Sequence, residues 1–246
     1  MSTIKPNFMP LWPIPFGYAN IGQEHHSLNK QLISDIETER TNNVSRPRTF
    51  GKNKCSWQSE LSLEKKYESF YKLSRIIKSV AIPILESSGI SRNMNTEVCH
   101  LWANVIFEKG GWSNPHIHGS GTTLWSGVYY PKGMKDEKDL DEFIPQDYMS
   151  YGIMDSGGFG GSLVIKDLNI SKKMIRLDLD HDKYYGSNFT VIPRESLLVL
   201  FPAWVEHYVT PTTNDFTRYS ISFGVVKTTK APNPVKSPDN VTIEKV

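Results

Sequence analysis

The chain reads as mainly β, a sandwich or barrel of short strands set over helices that precede it. Two observations predict this. From residue 97 onward, "EVCHLWANVIFEKG", "TLWSGVYY", "SLVIKD", "FTVIP", "SLLVLFP" and "RYSISFGVV" are short, β-branched or aromatic runs divided by turn-rich stretches, and helical periodicity is absent from them. Ahead of them, two segments repeat apolar residues at helical spacing. The 246 residues are ample for a sizeable core. A formal net charge of +2 gives no general pull toward nucleic acid or membrane. No apolar run is long enough to span a bilayer, and the N-terminus lacks the apolar stretch of a secretion signal.

The elements follow in order. "PLWPIPFGYANI" is proline-spaced and apolar, and reads as an extended opening strand. In "HSLNKQLISDIETER", Leu28, Leu32, Ile33 and Ile36 fall on one helical face and Ser27 is placed to cap the start. "TNNVSRPRTFGKNKC" is a basic, polar, solvated loop. In the longest helical pattern, Leu63, Tyr67, Phe70, Leu73, Ile77, Val80 and Ile84 trace a stripe suited to packing on a sheet. Pro83 should kink or end that helix, and Gly89 lies just past it. The stretch from Lys132 to Gly161 is a long charged insertion between strands, placed to act as a lid. The division is 1–96 for the strand and helices, 97–227 for the β core and 228–246 for a loose or partner-bound extension, all one structural unit. Cys55 and Cys99 have no CxxC spacing, so a reducing, cytoplasmic setting is the simpler expectation.

The chemistry concentrates in "NPHIHGSG". Residues two apart on an extended segment point to one side, so His116 and His118 are placed to reach a single ion. His207, in "LVLFPAWVEHYVTP", follows a strongly apolar strand where the chain turns out of the core. Near a barrel mouth it can join the pair as a third ligand. Imidazole nitrogens suit iron, zinc, copper and nickel, so the spacing leaves the ion open. The remaining histidines fit ordinary roles: His25 and His26 beside a helix start, His100 hydrogen-bonded in a strand core, His181 in an acidic turn. Eleven residues after His207, Arg218 and Ser220 share one face of their strand, while Tyr219 and Ile221 face the other. A buried arginine is costly unless it meets an anion. A guanidinium fork beside a hydroxyl is shaped for a carboxylate, either a ligand's or an internal acid's.

The ordered set "NPHIHGSG…SGVYY…GGSLVI…LLVLFPAWVEHYVTP…RYSISF" resembles the Fe(II)/2-oxoglutarate-dependent oxygenases, in particular a branch found in bacteria and phages. "CSWQS" at 55–59 and "LWPIPF" resemble further stretches of that branch, and the likeness runs from about residue 11 to about residue 226. It implies a double-stranded β-helix core, the jelly roll shared with cupins. It also implies Fe(II) on His116, His118 and His207, 2-oxoglutarate as cosubstrate, and O2. Arg218 with Ser220 and the phenol of Tyr130 would bind the far carboxylate of 2-oxoglutarate. The departure is His118, where most of the superfamily carries Asp or Glu. A neutral imidazole there raises the charge of the iron centre by one.

Two rivals come from other classes. One is a three-histidine cupin-type dioxygenase that uses no 2-oxoglutarate, with Arg218 holding the substrate's own carboxylate. The other is a non-catalytic, phage-associated β-barrel binding module. A hydrolytic zinc enzyme fits less well, because no acid sits within the histidine motif to serve as base. Trp112, Trp125 and Trp204 are candidate walls of a substrate pocket, and an aromatic core explains them equally well. A small-molecule or peptidyl substrate and a homodimer are both compatible with the residues.

Overall fold

A computed structural model describes residues 14–22, 25–45, 55–91, 94–119, 121–133, 161–167, 188–212 and 217–228. His181, the body of the 132–161 insertion and the tail beyond Thr228 lie outside them. Among the described residues, ten strands and two α-helices follow in the order β1 (Gly17–Asn20), α1 (His26–Asn42), β2 (Ser56–Gln58), α2 (Glu68–Ser87), β3 (Thr96–Ile106), β4 (Ser113–His116), β5 (Thr123–Tyr130), β6 (Leu163–Lys166), β7 (Asn188–Val191), β8 (Leu197–Pro202), β9 (His207–Val209) and β10 (Arg218–Lys227). A 3-10 turn, Leu63–Lys65, precedes α2.

The strands form two antiparallel sheets, β1-β8-β5-β10-β3-β2 and β4-β9-β6-β7. The helices cover the outer face of the larger sheet. That arrangement explains why β8 is apolar along its whole length. Leu198 and Leu200 enter the core shared with α1 and α2, and Leu197, Val199 and Phe201 enter a second core between the sheets. Strands β3 and β10 divide their faces differently. Leu101, Ala103 and Val105 on β3, with Ile221, Phe223 and Val225 on β10, pack toward the helices. The alternate residues of both strands face a cavity. Gly127 is required where β5 crosses this layer, because a Cβ there would collide with the Phe223 ring and the Val199 carbonyl. No helix among the described residues is long and apolar enough to cross a membrane.

Three local expectations are corrected. Helix α1 begins at His26 with His25 at the cap position and no side-chain capping bond, so Ser27 is not the cap. His26 instead places Nδ1 2.7 Å from Glu195 Oε1. Helix α2 continues through Pro83 to Ser87. The bond lost at an interior proline costs about 3 kcal/mol. Partly buried Ile84 and buried Leu85, the next two residues, offset it, each apolar side chain contributing up to roughly 1.5–3 kcal/mol when fully buried. His100 is an exposed residue rather than a core one, for a reason given below. Gly89 ends α2 at φ +91°, the left-handed turn expected of it.

Candidate metal and cosubstrate site

Strands β4 and β9 pair antiparallel with His116 directly opposite His207. The chain leaves β4 still extended, and the backbone N–H of His118 donates to Ala203 O at 2.8 Å. This returns the second imidazole to the side of the first, while Ile117 turns outward. Ligand atoms of the three histidines all lie within 4.8 Å of one another. His118 Nε2 and His207 Nε2 are 3.2 Å apart. Metal–imidazole bonds of about 2.1 Å place two such nitrogens roughly 3.0–3.4 Å apart for angles between octahedral and tetrahedral, so the spacing fits a shared ion.

The tautomers fit as well. His116 Nδ1 lies 2.7 Å from Asn114 O, and His207 Nδ1 lies 2.9 Å from Val205 O. A carbonyl only accepts, so each Nδ1 carries the proton and each Nε2 presents its lone pair. Burial, reinforced by neighbouring His116, lowers the His118 pKa to about 4 and that of His207 to about 3. Neutral imidazoles at these two positions are what metal ligation requires. Phe201 packs against His207 at 4.7 Å and Trp102 against His118 at 5.7 Å between ring centroids, which restricts both rings. Among the described residues, no carboxylate joins the cluster.

Arg218 lies on the same cavity and is 3% exposed. Its Nε donates to Gly161 O at 2.7 Å, one terminal nitrogen donates to Ser220 Oγ at 2.7 Å, and the other lies 3.4 Å from the Tyr130 phenol. Gly161 sits at φ +84°, and a Cβ there would press on Thr212 and on Arg218 itself. Only glycine delivers that carbonyl without strain. Burial pushes the Arg218 pKa down while Tyr130 opposes the shift, and a guanidinium stays charged at any working pH. Burial pushes the Tyr130 pKa up, so it remains a phenol. Among the described residues, every one of these Arg218 partners is a neutral oxygen. Among those residues, three of its five N–H donors are used and its charge meets no acid.

The cavity has a volume of about 790 Å³. The histidines, Arg218 and Ser220 line it together. Tyr130 reaches it through the guanidinium. Of the three candidate wall tryptophans, only Trp112 lines it; Trp125 is buried in the helix-side core, and Trp204 is exposed without lining it. Sequence reasoning missed Gln58, His100, Trp102 and Asn104. Trp102, Asn104 and Ile106 are signalled by the alternation of "LWANVI". His100 is not, because it sits in a β-bulge. Between Ser222↔Trp102 and Gly224↔Cys99 the register advances two residues on β10 and three on β3. His100 absorbs the extra residue at φ +56°. The carboxylate of Glu64 accepts both freed amides, His100 N at 3.2 Å and Leu101 N at 3.0 Å.

A double-stranded β-helix with an H-x-H pair, a distal histidine and a buried arginine-serine pair on one cavity defines a class, the non-haem iron oxygenases. Residues 100–224 match the family described as "Putative 2OG-Fe(II) oxygenase", and the chain belongs to that 2-oxoglutarate-dependent oxygenase family. Its fold is also that of solved members of the wider group. A Pseudomonas putida prolyl-4-hydroxylase aligns over 87% of this chain and 94% of its own, at 14% identity and TM-score 0.54. A Trichoplax adhaerens prolyl hydroxylase, solved with a hypoxia inducible factor peptide fragment, aligns over 87% and 84% at 15% identity and TM-score 0.56. HygX from Streptomyces hygroscopicus, solved with nickel and 2-oxoglutarate, aligns over 88% and 84% at 12% identity and TM-score 0.53. No curated protein matches the chain.

Proposed function

We propose that His116, His118 and His207 hold Fe(II), and that Arg218, Ser220 and Tyr130 hold the distal carboxylate of 2-oxoglutarate. The observation that carries this reading is the buried Arg218 charge, matched among the described residues only to neutral oxygens and facing the cavity that the three imidazoles share. Its two N–H donors that meet no partner among the described residues suit a carboxylate fork. The Tyr130 phenol accepts from the guanidinium and keeps its own proton to give to the same anion. The floor of the cavity therefore orients 2-oxoglutarate before any chemistry, a positioning effect that replaces translational freedom with fixed geometry.

Iron bound by the three imidazoles supplies the oxygen activation, coupling conversion of 2-oxoglutarate and O2 to succinate and CO2 with oxidation of a substrate. The protein's own part is to fix the ligand tautomers through Asn114 O and Val205 O, to hold Trp102 and Phe201 against the rings, and to keep the floor dry. His118 completes the ligand set as a neutral group where a carboxylate is usual. Cys55 and Cys99 are thiols rather than a disulfide pair, which supports a reducing, cytoplasmic setting.

The test is anaerobic addition of 2-oxoglutarate to the Fe(II)-loaded protein, read by the weak visible charge-transfer band of the chelate. The expected result is a band that is absent in Arg218→Ala and in His207→Ala. Stoichiometric iron without a band would instead favour a three-histidine dioxygenase that uses no 2-oxoglutarate. Absence of iron would leave a binding module.

A further inference from the structure

After the metal and carboxylate groups are assigned, a second set of cavity residues is left, and it lies at the mouth. Leu61, Trp112 and Ile117 line the cavity yet are 44%, 41% and 52% exposed. With them stand Gln58, His100 and Trp102. These six come from separate places: β2, the turn before Leu63, β3, the β3–β4 connection and the segment after β4. Large apolar side chains exposed together at the rim of a cavity mark a surface that a partner covers. The strained bulge has the same address. It costs of order 1–3 kcal/mol to hold a non-glycine residue at such a backbone angle, and here the result is an imidazole presented at the mouth.

The charge of the wall narrows what that partner is. Among the described lining residues, the one permanent charge is Arg218, already matched to the cosubstrate. The rest are carboxamides, hydroxyls, indoles, imidazoles and hydrocarbon. A free amino acid would bring an ammonium and a carboxylate into this wall, and a nucleotide would bring phosphates. Burying such charges without counter-charges is expensive. An uncharged segment meets no such cost.

Position narrows it further. A metabolite seated wholly inside the cavity leaves Leu61, Trp112 and Ile117 wet, whereas a chain running across the opening covers all three. The mouth also lies between two sheet edges. Strand β2 terminates the larger sheet and β4 the smaller one among the described residues, and both contribute side chains to the cavity. Strand edges offer backbone donors and acceptors to an extended peptide, and the Gln58 carboxamide stands on one of them.

We infer that the substrate is an uncharged segment of a peptide chain flanked by apolar residues, laid across the mouth between β2 and β4 with one side chain reaching in toward His118. This rests on the oxygenase reading above. The reaction balances as one substrate C–H bond, O2 and 2-oxoglutarate giving C–OH, succinate and CO2. One oxygen atom enters the substrate and the other enters succinate.

The experiment is a surface-bound array of capped peptides of roughly twelve residues, long enough at about 3.3 Å per residue to cross the mouth, probed with the full-length chain. Binders should concentrate among sequences whose central residues are uncharged and apolar. For the best binder, labelled and followed by fluorescence anisotropy, Ile117→Asp and Trp112→Ala should each weaken binding about tenfold or more, equivalent to 1.4 kcal/mol. Tyr71→Ser, on the exposed side of α2, should change nothing. The same peptide should then raise succinate release and gain the mass of one oxygen. Equal binding of charged sequences, indifference to Ile117→Asp, or oxygen transfer to free amino acids, nucleotides or a neutral polycyclic compound instead of the peptide would overturn the inference. Peptide binding needs no turnover. An array without binders, in a protein that forms the 2-oxoglutarate band, sinks this inference alone. Binders in a protein that forms no band support the surface and sink the oxygenase assignment.

Discussion

At the floor of the cavity, Arg218, Ser220 and His207 are buried; Arg218 is tied to Gly161 and to Ser220 on its own strand, and His207 to Val205. At the mouth, Leu61, Trp112 and Ile117 are exposed side chains contributed by loops and strand ends. The floor is chemically demanding: a buried guanidinium, a buried His207 and two half-buried imidazoles converge on one cavity. The mouth is more exposed and largely apolar. The difference separates two tasks. The reaction needs groups fixed before the cosubstrate arrives, whereas recognition needs surface that a partner can cover.

Removing a floor residue should have the largest effect. His207→Ala deletes one of the three proposed ligands, at the best-buried corner. Metal affinity should fall at least about 100-fold, since even outer-shell losses cost 10–100-fold. Metal content after gel filtration measures it. Iron retained at full stoichiometry would remove His207 from the ligand set and break the distinction between floor and mouth. Arg218→Ala should come next. It removes charge-assisted bonds of about 1.5–3 kcal/mol each, so 2-oxoglutarate affinity should drop by roughly two orders of magnitude with iron binding retained. Calorimetric titration of the Fe(II) protein without O2 reads both. Arg218→Lys should recover only part of the loss, because an ammonium lacks the fork.

The floor also carries a pH signature in the chelator-treated, metal-free protein. His118 and His207 titrate near 4 and 3 in the folded chain and near 6.5 when unfolded. As pH falls below 6.5 the unfolded chain takes up protons that the folded chain does not, so stability is present above that value and is lost on the way down to pH 4. At pH 5.5 the loss should be about 1 kcal/mol per histidine. Urea midpoints at pH 7.5 and 5.5 test this. His118→Asn should flatten the dependence, whereas an unchanged slope would mean that burial is not what keeps these rings neutral.

The same contrast explains what could be read from the residues alone. The floor was legible because short strand spacings encode it: H-x-H and R-x-S each place two groups on one face, and a closed apolar strand before His207 marks where the chain turns. The helix stripe and the apolar strands were legible for the same reason. The mouth was not. Leu61, Trp112 and Gln58 converge only after folding, and no local period announces them. Ser27 misled because the helix starts one residue earlier, at His26, whose imidazole meets Glu195, and local spacing fixes a helix end only to within one or two residues. Pro83 misled because burial on both sides of it outweighs one missing bond.

His100 is the sharpest case, and it supports the smallest prediction. The bulge does two things at once. It keeps Val98 and Leu101 both on the helix-side core despite their odd spacing, and it turns an imidazole toward the cavity. Glu64→Ala removes the acceptor for two backbone amides and should cost about 1–3 kcal/mol. His100→Gly has the opposite sign. Glycine adopts φ +56° without penalty, so thermal denaturation should show a gain or no loss, within about 1 kcal/mol. If His100→Gly destabilises the fold, the imidazole itself holds the bulge and its place at the mouth is structural. If the fold gains stability while binding of the best array peptide weakens, the strained residue is retained for recognition, and the mouth proves to be as deliberately built as the floor.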